Sequence, residues 1–144
     1  MSSERPLTDD LGFLLSRASG AVARSVSAAL GPLGLRVRSY SVLALAVEHD
    51  TGVTQRSLAA VVGLDPSQVV ALVDELQDRG LVERAADPND RRNRLVRPTA
   101  EGRRVFAEAH RLVTEQDDRH FAQVPPERLE AFRDVLRRVA FPGA

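Results

Sequence analysis

The chain has 144 residues, of which 43% are hydrophobic and 28% charged, enough for one domain with a sizeable core and outside the range of disordered or fibrous chains. Twenty basic and 20 acidic residues cancel, so overall charge does not announce a nucleic-acid partner. Cysteine is absent, which excludes disulfides, thiolate metal sites, cysteine nucleophiles and thiol redox sensing; with no secretory leader in residues 1–10 and no apolar run of roughly 20 residues, no membrane span and a cytoplasmic location are expected.

The first element in chain order is an amphipathic helix carrying Leu11, Leu14, Leu15, Ala18, Val22, Val26 and Ala29, stopped by Gly31-Pro32-Leu33-Gly34. Residues 39–47 are apolar nearly all round, the mark of a central, buried helix, which Asp50-Thr51-Gly52 closes. Two short helices follow. Thr54 caps the first, over 55–62, and Gly63 ends it. The second has Asp65 at its cap, Pro66 at the first helical position and Gln68 where a capping-box partner reaches back. Val69, Leu72, Val73 and Leu76 form its buried stripe, and Gly80 stops it. This is helix-turn-helix spacing.

Strand-like runs at 81–86 and 93–97 flank the turn formers Asp87-Pro88-Asn89-Asp90, a β-hairpin with Arg91, Arg92 and Arg94 at or near its tip. From Arg79 to Arg104 eight arginines face four acids, so the stretch is locally +4. Thr99 caps a long helix carrying Val105, Phe106, Ala109, Leu112, Val113 and Phe121; after Pro125-Pro126 a last helix carries Leu129, Phe132, Leu136 and Val139. The expected fold class is mainly α with a small β-hairpin wing. It divides into an N-terminal dimerisation helix (1–34), a winged helix-turn-helix core (35–98) and C-terminal dimerisation helices (99–144). The outer helices have too little domain around them to bury their stripes, and pairing with a second copy does so.

A helix pair followed by a basic hairpin suits double-stranded DNA. The second helix enters the major groove, and with its apolar face spent on the core, Ser67, Gln68, Val70 and Ala71 point outward. Gln68 has the groups for a bidentate bond to adenine, and Val70 or Ala71 for a thymine methyl, although Val70 also suits packing beneath the wing. Gln55 and Arg56 complete the set on the first helix of the pair. An arginine at the hairpin tip fits a narrow minor groove. A winged-helix protein-interaction module is the alternative, but such a module has no need of Arg91, Arg92 and Arg94 together.

The run Thr54-Gln55-Arg56-Ser57-Leu58-Ala59, then Gly63 to Ser67, Leu72 to Leu76 and Arg79 to Arg84, resembles the multiple antibiotic resistance regulator (MarR) family. Residues 86–102 are similar to that family's wing signature, whose Asp-x-Arg, Leu and Thr-x-x-Gly fall on Asp90, Arg92, Leu95, Thr99 and Gly102. The resemblance implies a homodimeric transcription factor on a pseudo-palindromic operator, usually a repressor released by a small, often aromatic, ligand. It further implies that Arg92 is the minor-groove arginine, Asp90 its orienting neighbour and Asp74 a wing-facing carboxylate. Val70-Ala71 replaces a Thr-Arg common in the family, and Pro98 replaces an apolar residue and is expected to end the strand early.

Tyr40, at a position where the family often has an aromatic residue, is a ligand candidate with Arg17 and Arg38; a core tyrosine with its hydroxyl at the surface is the plainer reading. Constitutive DNA binding without a ligand is a further alternative. His49, His110 and His120 form no i, i+4 pair, so no metal site is expected. No phosphate loop, nucleophile motif or catalytic triad is present, so neither a cofactor nor catalysis is expected.

Overall fold

The structure is a computed structural model and describes residues 4–144; the first three residues of the N-terminal unit lie outside it. After a short 3-10 turn, helix α1 (Leu11–Leu30) starts at Asp10, whose side chain accepts the Phe13 N–H at 2.9 Å. The Gly31–Leu33 turn leads into α2 (Val37–Glu48), the central helix, whose Val42, Leu43 and Ala46 are fully buried. Ser39 is the one buried polar residue among those described. Its hydroxyl accepts the Arg36 N–H at 2.8 Å and donates to the Arg36 carbonyl at 3.1 Å, so it finishes the helix start inside the core.

Strand β1 (Val53–Thr54) comes next and was not expected. Two residues are too few to show an alternating pattern, and Thr54 belongs at once to the strand and to the cap of α3 (Gln55–Val62), where its hydroxyl accepts the Ser57 N–H at 3.1 Å. Gly63, with φ of 73°, takes the left-handed turn out of α3. Helix α4 (Pro66–Asp78) buries Val69, Leu72, Val73 and Leu76, the stripe read from the sequence.

Strands β2 (Val82–Asp87) and β3 (Asp90–Pro98) form the wing, and β3 lies between β2 and β1 in an antiparallel sheet. Both strands run closer to the turn than their apolar patterns suggested, because cross-strand pairing continues through polar residues as far as Asp87 and Asp90. Arg91 and Arg92 therefore join Arg94 in the strand rather than lying in the turn. Pro98 does not end β3 early: it pairs in register with Val82 and is buried. Since β1 reaches only Leu95 and Val96, β3 has one partner at Pro98, and the missing N–H need break no ladder bond.

Thr99 fastens the wing to α5 (Ala100–His120). Its hydroxyl accepts the Gly102 N–H at 2.9 Å and donates to the Gly80 carbonyl at 2.6 Å, while its own N–H reaches the Leu81 carbonyl at 3.0 Å. Phe121 follows α5 as its cap rather than lying within it. Helix α5 packs along α1 and against α2. The last helix, α6 (Pro126–Ala140), buries none of its residues in this single chain. No single described helix is long and apolar enough to cross a membrane.

Candidate nucleic-acid interface

Helices α3 and α4 meet at 110°, within the range of helix-turn-helix pairs. The four outward positions of α4 are as the buried stripe dictates: Ser67, Gln68, Val70 and Ala71 are all exposed. Val70 is 38% exposed. Gln68, however, carries two tasks. Its Oε1 accepts the Asp65 N–H at 3.1 Å, completing the cap of α4. While that bond stands, the Nε2 donors are free and Oε1 has one lone pair left, so a bidentate contact with adenine would share that oxygen with the cap.

Arg56 is exposed and, with Thr54, Asp90 and Asn93, lines a polar groove of about 300 Å³ between the start of α3 and the wing. Arg91, Arg92 and Arg94 are exposed on the wing, and among the described residues no carboxylate pairs with any of them. Strand alternation puts Arg92 and Arg94 on the face that carries the buried Val96, the face turned toward the helix pair, and Arg91 on the other. Asp90 sits beside Arg92 as expected but acts on its backbone. Its Oδ1 accepts the Arg92 N–H at 3.0 Å and its Oδ2 the Asn93 amide at 3.4 Å, while Asp87 turns the chain by accepting the Asn89 N–H at 2.9 Å. The arginine side chains are left unencumbered.

Asp74 does face the wing, but the residue it meets is Arg84, at the root of β2, at 2.7 Å. Arg84 also holds Gln55 Oε1 at 3.0 and 3.2 Å and Gln77 Oε1 at 2.5 Å. Gln55, expected to face DNA, is thus half-buried with its carbonyl engaged. Sequence reasoning counted Arg84 only as part of a basic stretch. The available signal was parity: Arg84 is two residues from the buried Val82, on the inward face of its strand.

The three ligand candidates do not converge. Arg38 lines a groove of about 210 Å³ against α4, with Arg36, Gln68, Ala71 and Glu75 among its neighbours. Arg17 is exposed on α1. Tyr40 turns to α5, where its ring stacks on Phe106 (centroids 6.0 Å apart) and its hydroxyl shares a 3.1 Å hydrogen bond with His110 Nδ1. Burial pushes the Tyr40 hydroxyl above its ordinary pKa of 10.0, and the Asp117 and Glu48 carboxylates add to the rise. Half-buried with a partnered hydroxyl, Tyr40 ties the winged core to α5.

A model of the MarR family matches residues 33–93. The chain is 30% identical over 135 residues to the HTH-type transcriptional repressor Rv2887 of Mycobacterium tuberculosis, covering 92% of this chain and 96% of that protein. Among solved structures, a MarR-family transcriptional regulator from Rhodococcus sp. RHA1 superposes with a TM-score of 0.92 at 52% identity, covering 96% of this chain and 99% of that one. CouR from Rhodococcus jostii RHA1, bound to p-coumaroyl-CoA, gives 0.91 at 50% identity, covering 98% and 99%. A CouR repressor bound to a 23-mer DNA duplex gives 0.84 at 30% identity, covering 96% and 99%. From the 110° helix pair, through the Thr-x-x-Gly joint, to relatives alike over nearly their whole length, the chain belongs to the MarR family.

Proposed function

We propose that this chain is a homodimeric transcriptional repressor that binds a pseudo-palindromic operator and lets go of it when a small aromatic ligand binds. The observation that carries the reading is the juxtaposition of an exposed α4 face with three exposed wing arginines that, among the described residues, pair with no acid. A protein-interaction module gains nothing from leaving such charges bare, whereas DNA rewards them with phosphate attraction. A CouR repressor of the same fold is bound to DNA, and the CouR from Rhodococcus jostii RHA1 carries an aromatic acyl-CoA. In the proposed working form α4 lies in the major groove and Ser67, Gln68, Val70, Ala71 and Arg56 face it. Gln55 offers its free amide donors, and Arg92, with Arg91 and Arg94, follows the adjacent minor groove and backbone. Residues 1–34 and 99–144 form the dimerisation part around the core of 35–98. Its work is binding rather than catalysis, and it is done in the cytoplasm.

The test is fluorescence anisotropy of the purified chain on a duplex from the region upstream of its own coding sequence. Arg92→Ala should weaken binding and reduce the slope of log affinity against log salt by about one unit. Arg111→Ala should leave both unchanged, because Arg111 pairs with Glu115 on α5 at 2.6 Å, away from the wing. p-Coumaroyl-CoA and free aromatic acids are then added to the complex. Release by one of them supports the repressor mechanism; release by none makes the chain a constitutive DNA binder, and equal losses in the two variants remove the wing assignment.

A further inference from the structure

Above the shared apolar core, the polar side-chain contacts from the wing to the helix pair, among the described residues, are made by one guanidinium. Arg84 stands on the inward face of β2 opposite Val96, with its side chain only 19% exposed. From there it spreads over both helices. Nη2 pairs with Asp74 on α4 at 2.7 Å and also bonds Gln55 at the start of α3 at 3.0 Å. Nε bonds the same Gln55 oxygen at 3.2 Å, and Nη1 bonds Gln77 on α4 at 2.5 Å. Beyond this point the wing is on its own. Among the described residues, the side-chain hydrogen bonds of the outer wing (Asn89 to Asp87, Arg92 and Asn93 to Asp90) close on the wing itself and reach neither helix.

We propose that Arg84 is a positioning residue that fixes the angle between the wing and the recognition helix, so that Arg92 and the exposed face of α4 can engage one duplex together. A planar fork with five N–H donors can hold acceptors on two helices at once, whereas a lysine ammonium is a single rotating point charge. The ion pair with Asp74 is the anchor; the two glutamine oxygens, which accept hydrogen bonds, set the direction. A second effect follows at Gln55. With its Oε1 accepting twice from Arg84, the amide keeps only its Nε2 donors free, and donors are what a phosphate oxygen needs. Arg84 thus acts on DNA without touching it.

The consequence for DNA rests on the repressor reading; the positioning itself does not, and the experiment separates the two. Backbone residual dipolar couplings of the full-length chain report whether β2, β3 and α4 align as one body. The wild-type chain should fit a single alignment, and Arg84→Gln should require a separate, averaged alignment for the outer wing while α4 stays ordered. Arg84→Lys should fall between them. Asp74→Asn, which leaves Arg84 in place and removes its charged anchor, should loosen the wing the same way and serves if Arg84→Gln does not fold. On a duplex from the chain's own upstream region, Arg84→Gln should lose about tenfold in affinity, or about 1.4 kcal/mol. Its salt slope should stay that of the wild type, and hydroxyl-radical protection should fade at the flanks where the wing lies. A single alignment in both variants would overturn the proposal, as would a loosened wing with undiminished affinity. If the wild-type chain binds no duplex, the repressor reading fails, and the dipolar couplings still decide whether Arg84 holds the wing.

Discussion

At Gly102 a single methyl group would meet a carbonyl. A Cβ built there lies 1.9 Å from the Leu81 oxygen and 2.8 Å from its carbon, both backbone atoms at the root of the wing. The first turn of α5 can press against that carbonyl only without a side chain, and Thr99 holds it there by bonding Gly80 and Gly102 together. Gly102→Ala should lower stability by about 1–3 kcal/mol, the range for forcing atoms into packed space, as measured by thermal or urea unfolding. The Thr-x-x-Gly spacing was visible in the sequence, but the reason for the glycine was not, since the opposing carbonyl comes from a segment that only the fold brings near. Gln68 makes a second residue-level case. Cap and base contact were both legible, but that one oxygen would have to serve both was not. With the cap intact, one lone pair of Oε1 is spent and the amide oxygen is drawn toward the cap, so Gln68 turns chiefly its Nε2 donors to the bases. Replacing a contacted adenine by 7-deaza-adenine should then weaken binding about three- to tenfold, the worth of one hydrogen bond, while removal of the N6 amino group leaves it nearly unchanged. A scan of both analogues across a half-site measures this, and an equal loss with each would mean that Oε1 also accepts from the base, through its second lone pair or with the cap open.

Among the elements, the helices were readable because their stripes and caps are local: the buried residues of α4 are the four named from spacing alone. The sheet was less so. β1 has two residues, and the outer wing is polar and held by cross-strand pairing that leaves no trace in composition. Helix α5 carries a pH dependence that no pattern reveals. Burial lifts the Asp117 carboxyl above its ordinary 3.8, and the neighbouring Asp118 adds to the rise. His120, Arg133 and His110 oppose it. With its folded pKa raised, the group favours the folded state most at low pH, and that contribution is lost as pH rises through the folded value. Asp117→Asn should therefore raise the melting temperature at pH 7, with a gain that shrinks as pH falls toward 3.8. Differential scanning calorimetry across that range checks the sign; a gain that grows toward acid would show the carboxylate to be stabilising.

At the scale of the whole molecule, one copy leaves too much apolar surface in water. Leu11 on α1 is 76% exposed, and Val135 and Val139 on α6 are 56% and 65% exposed. Leu14, Leu15, Phe132 and Phe141 are exposed with them. A second copy covering these faces accounts for helices that otherwise bury little. Val135→Asp together with Phe132→Asp should shift the protein from dimer to monomer by sedimentation at micromolar concentration, without melting the winged core, since neither residue belongs to the buried cluster that holds it. The joint at Thr99 gives such a pairing a mechanical property. No slack separates β3 from α5, because the residue between them bonds in both directions. Helix α5 has 21 residues and so is a rod about 30 Å long. A tilt of about 10° at its far end carries the wing roughly 5 Å, and opposite tilts in two copies change their separation by about 10 Å, nearly a third of the roughly 34 Å between successive turns of DNA. The gearing runs both ways: a few degrees among the paired helices suffice to throw the two reading heads out of phase with the duplex, and a duplex that holds them in phase clamps those helices at one angle.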